Sequence, residues 1–300
     1  MKIFITGILG FIGSNLAERF ISLGWEVSGC DDLSFGSEDN RIDGVNYLIM
    51  SAGEIGRQHL VGYDVVILSH CVNIMAAEDS PFKTYESNVG DSINVVNKVW
   101  GNSLVINLST ASVYGMADKF PTPESAAIRC TNDYAQSKYL FERFLLDKPH
   151  VKWVNLRLSN VYGRRQRPES PYSGVIGKLL GAKLNDTMFS IYGDGLQTRD
   201  YTYIDDVLDV IENICLNYPS LHCLHGTFNI GTGVETNINE LVEYVSPRYI
   251  NNVEPRKIDN ITRRRMDIRL AEDWLKYSVK FSVEEGIRMT IKYLIDNRKS

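Results

Sequence analysis

Cysteine is scarce and scattered in this sequence. The five thiols, Cys30, Cys71, Cys130, Cys215 and Cys223, include no C-x-x-C pair. An odd, dispersed set excludes a disulfide framework and a thiolate zinc site, and it fits packing residues kept reduced in a cytoplasm-like compartment. No metal-ligand set is expected. Long apolar runs are missing too. No segment is apolar for 18 residues, and the N-terminus, MKIFITG, enters a strand-like run with no charged leader and apolar core, so neither a membrane span nor a targeting segment is expected. Basic excess is absent: 32 Lys and Arg against 37 Asp and Glu leave a net charge of -5. That balance gives no general attraction to nucleic acid or anionic membrane, and the short runs GRRQRP and RRR do not make a basic tail. Any phosphate binding must come from local Arg and Lys placement, on a small partner.

What is present is a soluble globular composition, with 44% apolar and 23% charged residues over 300 positions, enough for a sizeable core and two lobes. Short apolar runs alternate with amphipathic ones: KIFIT, FIGSNLAERFISL, WEVSGC, a polar loop, VVIL, roughly Phe82 to Trp100, LVINL, Tyr134 to Leu146, and VKWVNLRL. This rhythm predicts an α/β doubly wound parallel sheet of Rossmann type with helices on both faces, since strands buried on both sides read as continuous apolar runs. After Arg157 the pattern loosens into Arg-rich and Gly-rich segments, with further runs at FSIY, TFNI and SVEEGIRMTIKYLI. The expected organisation is a dinucleotide-binding domain over 1–158, with segments near 199–232 returning to it. A smaller C-terminal substrate-binding lobe takes most of 159–300.

TGILGFIG, Thr6 to Gly13, follows the first strand and opens the first helix. Gly7, Gly10 and Gly13 allow a tight turn and close approach of backbone N–H groups to a diphosphate, with Phe11 and Ile12 between them at a helix N-terminus that favours anions. Eighteen residues after Gly13 the second strand ends at Asp31 and Asp32. A carboxylate there can accept hydrogen bonds from an adenosine ribose and repels a 2′-phosphate, so NAD is expected rather than NADP.

YAQSK, Tyr134 to Lys138, lies in a helical segment preceded by the candidate caps Thr131, Asn132 and Asp133. Four residues apart is one helix face, so phenol and ammonium can act on one bound molecule. Acting as a base near neutrality, a tyrosine needs about 4 kcal/mol of help, which Lys138 and a positive nicotinamide ring can supply. Thr110, ending a strand 24 residues earlier, completes a set able to move a proton on a sugar hydroxyl while hydride passes to the nicotinamide.

Taken together these motifs resemble the nucleotide-sugar epimerase and dehydratase branch of the extended short-chain dehydrogenase/reductase family. The spacing G-x-x-G-x-x-G is that family's, and the likeness extends through Asn88 in YESNVG, RLSNVYGRRQRP, IYGDGLQTRDYTYIDD, FNIGTG and RRMDI. The resemblance implies that Thr110 hydrogen-bonds the reacting sugar oxygen, Tyr134 is the acid/base, and Lys138 holds the ribose and lowers the tyrosine pKa. It implies Asn88 in the cofactor site and Asn160 as a substrate-binding amide. Arg199 and Arg264 would grip the nucleotide diphosphate, for which a planar guanidinium fork is suited. It also implies a homodimer through the helices near Phe82 to Trp100 and Tyr134 to Leu146.

Two stretches depart from the family pattern. Where members carry a histidine followed by small residues, this chain has ILSHCVN, placing His70 and Cys71, both capable of acid/base chemistry, in the turn near the cofactor. The Asp expected after the third strand, near the adenine, is absent from LIMSAGE.

Reaction type is read from NLSTASVYG, Asn107 to Gly115. Dehydratases of the family resemble T-D-E at this turn, with carboxyl groups to eliminate water, and 3,5-epimerases carry a cysteine. Here Ala111 and Ser112 follow Thr110, leaving one hydroxyl, one phenol and a hydride acceptor. That set suits 4-epimerisation, expected on a UDP-hexose. The alternatives are a 4-keto-sugar reductase or 4,6-dehydratase of the same family, and a non-catalytic NAD-binding sensor.

Overall fold

The computed structural model describes residues 1–218, 225–255 and 261–297. Cys223 lies outside them. The chain divides into two compact units, the first comprising Met1–Val113, Cys130–Arg157 and Val210–Phe228, the second Tyr114–Arg129, Leu158–Asp209 and the chain from Asn229 onward.

The first unit is built on strands β1 (Lys2–Thr6), β2 (Glu26–Asp31), β3 (Asn46–Ile49), β4 (Val65–Leu68), β5 (Leu104–Thr110) and β6 (Lys152–Leu158), joined by β11 (Gly226–Ile230). They form one seven-stranded parallel sheet in the order β11-β6-β5-β4-β1-β2-β3. Winding reverses between β1 and β4, and in such sheets ligands bind outside the carboxyl ends of the strands at that reversal. Every residue of β4 and β5 is buried, as the apolar runs VVIL and LVINL require. The edge strand β3 was not set apart by the periodicity, because it is half exposed and reads as mixed polarity.

Helix α1 (Phe11–Ser22) follows β1. Between β4 and β5 lie α2 (Ile74–Asp79), α3 (Pro81–Tyr85) and α4 (Ser92–Val96), the last two joined by a π-helical turn over Glu86–Asp91. Helix α5 (Asp133–Leu146) is started by Asn132, whose side chain accepts from Ala135 N–H at 2.8 Å. It buries Ala135, Lys138, Phe141, Glu142 and Leu145, a stripe at helical spacing. Phe141 and Leu145 join Phe4, Val66, Val105 and Trp153 in one core cluster. Each such side chain contributes about 1.5–3 kcal/mol by leaving water.

A buried ion pair fixes α5 on the sheet. Arg157 of β6 meets Glu142 at 2.6 Å with both side chains under a tenth exposed, and Ser109 of β5 donates to the same carboxylate. The Asn107 amide donates to the Asn155 oxygen at 2.9 Å, coupling β5 to β6 by side chains as well.

The second unit uses three small sheets. Strand β7 (Asn160–Tyr162) pairs in parallel with β10 (Tyr201–Tyr203), β8 (Met188–Tyr192) with β13 (Tyr249–Val253) in parallel, and β9 (Thr198–Arg199) with β12 (Thr236–Asn237) antiparallel. Its helices are α6 (Val175–Leu184), α8 (Ile238–Val245), α9 (Arg269–Leu275) and α10 (Val283–Asp296), while α7 (Ile204–Asn217) runs from this unit into the first. Helices α8 and α10 begin with capping boxes, Asn237 with Glu240 and Ser282 with Glu285. No described helix is long and apolar enough to cross a membrane.

Candidate active site

The turn between β1 and α1 is shaped by contacts that only glycine permits. Gly7 adopts φ +67°, and a Cβ there would stand 2.8 Å from the backbone N and Cα of His70. A Cβ on Gly13 would overlap the carbonyl oxygen of Gly7, so α1 packs directly on the turn. Gly7 N–H donates to Cys30 O at 2.8 Å, holding the turn beside the end of β2. Helix α1 has Gly10 at its N-cap, no capping side chain and no acid in its first turn. Its first turn supplies N–H groups and partial positive charge, the donor set a diphosphate requires, with the Asp31 carboxylate on Leu9 N–H just ahead of it.

Asp31 and Asp32 have separate surroundings. Asp31 is buried, and its two oxygens accept from Leu9 N–H and Leu33 N–H, each at 2.9 Å. Burial pushes its carboxyl up from the usual range while these N–H donors pull it down. It clamps the glycine turn to the loop after β2. Asp32 is exposed and accepts from Ser34 N–H at 2.9 Å.

In the atypical turn after β4, both ring nitrogens of His70 are occupied. Nδ1 lies 2.6 Å from the Thr6 hydroxyl and Nε2 3.2 Å from the Ser92 hydroxyl. Burial, and then the charge of Lys138, pull its pKa down to about 4. A neutral imidazole tied at both ends braces the turns after β1 and β4 and is a poor proton shuttle. Burial raises the Cys71 thiol, and the nearby Lys138 charge opposes this.

Asn88 lies on the π-turn and is buried. Its Oδ1 accepts from Val72 N–H at 2.8 Å, and its Nδ2 donates to Val72 O at 3.0 Å and to Ser137 Oγ at 2.9 Å. Ser137 in turn donates to Tyr134 O at 2.8 Å. Both amide hydrogens are thus committed to protein, and the side chain joins the turn after β4 to the first turn of α5. Tyr134 is partly buried and Lys138 almost fully so. Burial pulls the Lys138 ammonium down from its ordinary range, while Cys71 and Glu142 favour its charge. Thr110 ends β5, and its hydroxyl accepts from Ser112 N–H at 3.1 Å. The three Ser and Thr hydroxyls of NLSTASVYG therefore divide: Ser109 serves Glu142, Thr110 caps the following turn, and Ser112 is buried within it.

The expected substrate residues belong to the second unit. Asn160 lies on β7, its N–H donating to Asp200 O at 3.0 Å. Arg199 is nearly buried and donates to Thr198 O at 2.9 Å and Ile261 O at 2.7 Å. Of the run of three arginines, Arg263 is exposed on Glu235, Arg265 donates to Gly233 O at 2.6 Å, and Arg264 is the buried one. A residue without an assigned role organises them. Asp200, wholly buried, accepts from Thr232 N–H (2.7 Å), Thr232 Oγ1 (2.8 Å), Gly233 N–H (3.0 Å) and Met266 N–H (3.2 Å). It gathers the FNIGTG and RRMDI segments around one carboxylate. Its only sequence signal is its place in IYGDGLQTRDYTYIDD.

Known proteins resemble this chain over its full length. The family model for the NAD dependent epimerase/dehydratase family matches residues 3–231. A putative UDP-glucose 4-epimerase of Methanocaldococcus jannaschii is 28% identical over 312 residues, spanning 99% of this chain and 100% of its own. The UDP-glucose 4-epimerase of Mycolicibacterium smegmatis is 31% identical over 261 residues, 80% of each chain. A Thermotoga maritima UDP-glucose 4-epimerase solved with UDP-glucose matches the whole of both chains at 28% identity, with a TM-score of 0.91.

Because backbone cannot yield to a new methyl group as a flexible side chain can, Gly13→Ala should force α1 off the Gly7 turn. The expected loss is about 1–3 kcal/mol of unfolding free energy. Denaturant titration of the purified protein measures it, and an unchanged midpoint would mean that the turn is not packed as described.

Proposed function

Because the chain belongs to the NAD dependent epimerase/dehydratase family, we propose that it is an NAD-dependent nucleotide-sugar 4-epimerase acting on a UDP-hexose. The observation that carries this is the turn after β5. Thr110 is followed by the buried Ala111 and Ser112, so this turn has no carboxyl group to protonate a leaving hydroxyl and no carboxylate to remove a C5 proton. UDP-glucose 4-epimerases among its relatives support the substrate class.

The residues present fit the dinucleotide. In this reading Gly7, Gly10, Phe11, Ile12 and Gly13 receive the diphosphate, and Asp31 and Asp32 face the adenosine ribose. Lys138 holds the nicotinamide ribose, and Asn88 fixes the wall between them. When bound, NAD supplies a hydride acceptor and donor. Tyr134 takes the proton from the sugar O4 and returns it, the Lys138 ammonium stabilises the phenolate, and the Thr110 hydroxyl holds O4 in place. Asn160 orients the sugar, while Arg199 and Arg264 pair with the diphosphate.

The same reading makes the protein a cytoplasmic homodimer. Support for the compartment comes from four described cysteines, Cys30, Cys71, Cys130 and Cys215, that are all unpaired. Support for the dimer comes from Phe82 of α3, 80% exposed, and from Leu140 and Leu146 of α5, 41% and 50% exposed.

Isotopes test the reaction. In D2O the sugar should convert to its 4-epimer with no carbon-bound deuterium and no net change in NADH absorbance. Solvent deuterium at C6 would indicate a dehydratase, and NADH consumed in proportion to product a reductase. Tyr134→Phe keeps the ring and removes the proton, so turnover should fall roughly 10²-fold or more while nucleotide-sugar binding persists; near-normal turnover would remove Tyr134 from its role. Light scattering should give twice the chain mass in solution and the single mass for Phe82→Glu, whereas a monomeric wild type would refute the dimer.

A further inference from the structure

We propose that Asp91 reads the adenine base of NAD, its carboxylate accepting a hydrogen bond from the exocyclic amino group. The inference rests on the cofactor placement given above.

Strands β1, β2 and β3 are neighbours in the sheet, so their carboxyl ends form a row. With the diphosphate at the β1–α1 turn and the ribose at Asp32 beyond β2, the base comes next, at the turn after β3. The carbonyls around that turn, Ala52–Glu54, are engaged by protein. Asn94 donates to the carbonyls of Ala52 (3.2 Å), Gly53 (2.9 Å) and Ile55 (3.2 Å), and Lys98 adds a bond to Ile55 O at 2.7 Å. Its own acid, Glu54, is exposed and turns one carboxylate oxygen back to Ser51 N–H at 2.8 Å.

Asp91, at the end of the π-turn, comes to the same place from the other side. Its Oδ1 lies so near Gly53 that a Cβ there would overlap it, so the glycine leaves room for the carboxylate. No described residue donates a hydrogen bond to this partly buried group or pairs with its charge. The charges acting on it, those of Glu86, Asp32 and Glu54, are all acidic, and burial first, then these charges, raise its carboxyl to about 6. A neutral donor such as the adenine amino group relieves that arrangement without importing a charge. Hypoxanthine presents a carbonyl oxygen at the same ring position, and two acceptors would then face each other.

Calorimetric titration with NAD and with nicotinamide hypoxanthine dinucleotide is the test, on the intact protein and without turnover. Wild type should bind NAD at least ~10-fold more tightly than the analogue, the span expected for a hydrogen bond to a charged group. In Asp91→Asn, whose amide can donate to the hypoxanthine oxygen, the ratio should fall to near one. Gly53→Ala, which pushes the carboxylate aside with its charge retained, should narrow the ratio as well. Equal affinities in wild type, or a wild-type ratio in Asp91→Asn, would overturn the assignment. If NAD itself does not bind wild type, the cofactor placement fails, and this inference with it.

Discussion

The first unit depends on the approach of the Gly7 backbone to its neighbours. One peptide, bent into a positive-φ turn, touches the turn after β4 at His70, accepts α1 at Gly13 and donates to the end of β2 at Cys30. Three elements thus converge on an atom group without a side chain. The vacated volume lies at the reversal in strand order, where helix N–H groups and strand ends point into the same space. Asp31 secures the arrangement from beneath, a buried carboxylate satisfied by Leu9 and Leu33 N–H groups. Burying a charge is unfavourable unless hydrogen bonds replace its water, and the two loop donors do so.

The second unit repeats this economy with Asp200. One buried carboxylate accepts from Thr232, Gly233 and Met266, segments far apart in sequence, and so sets the position of backbone adjoining Arg199 and Arg264. In both units a buried acid shapes loops by accepting from their backbone N–H groups.

Legibility in the sequence followed the range of the interactions. The alternating apolar runs revealed β1, β2, β4, β5 and β6 because burial on both faces leaves no choice of residue. The glycine loop and the Tyr134–Lys138 spacing were legible because turn geometry and helix pitch are local. The edge strand β3 was hidden by its half exposure, and the short strands β7, β9 and β12 by their length. The supports of the site were hidden for another reason. The joining of Asn88 to Ser137, of His70 to Thr6 and Ser92, and of Glu142 to Arg157 each requires residues distant in the chain to meet. No periodicity encodes such partners. His70 and Cys71 were visible as departures, but only their surroundings separate a brace from a proton carrier.

The π-turn over Glu86–Asp91 has a consequence for how this stretch can be compared with others. Hydrogen bonds of the i→i+5 type take one more residue to close a turn than an α-helix does. Side chains beyond the turn are therefore rotated by about 100° relative to an uninterrupted helix. Phe82 before it and Val95 after it cannot be assigned to faces by a single helical wheel. The chain carries a phase shift here, equivalent to a one-residue insertion that leaves no gap in space. A gapless pairing of this helix with a regular one would match side chains that face in different directions on one side of the turn.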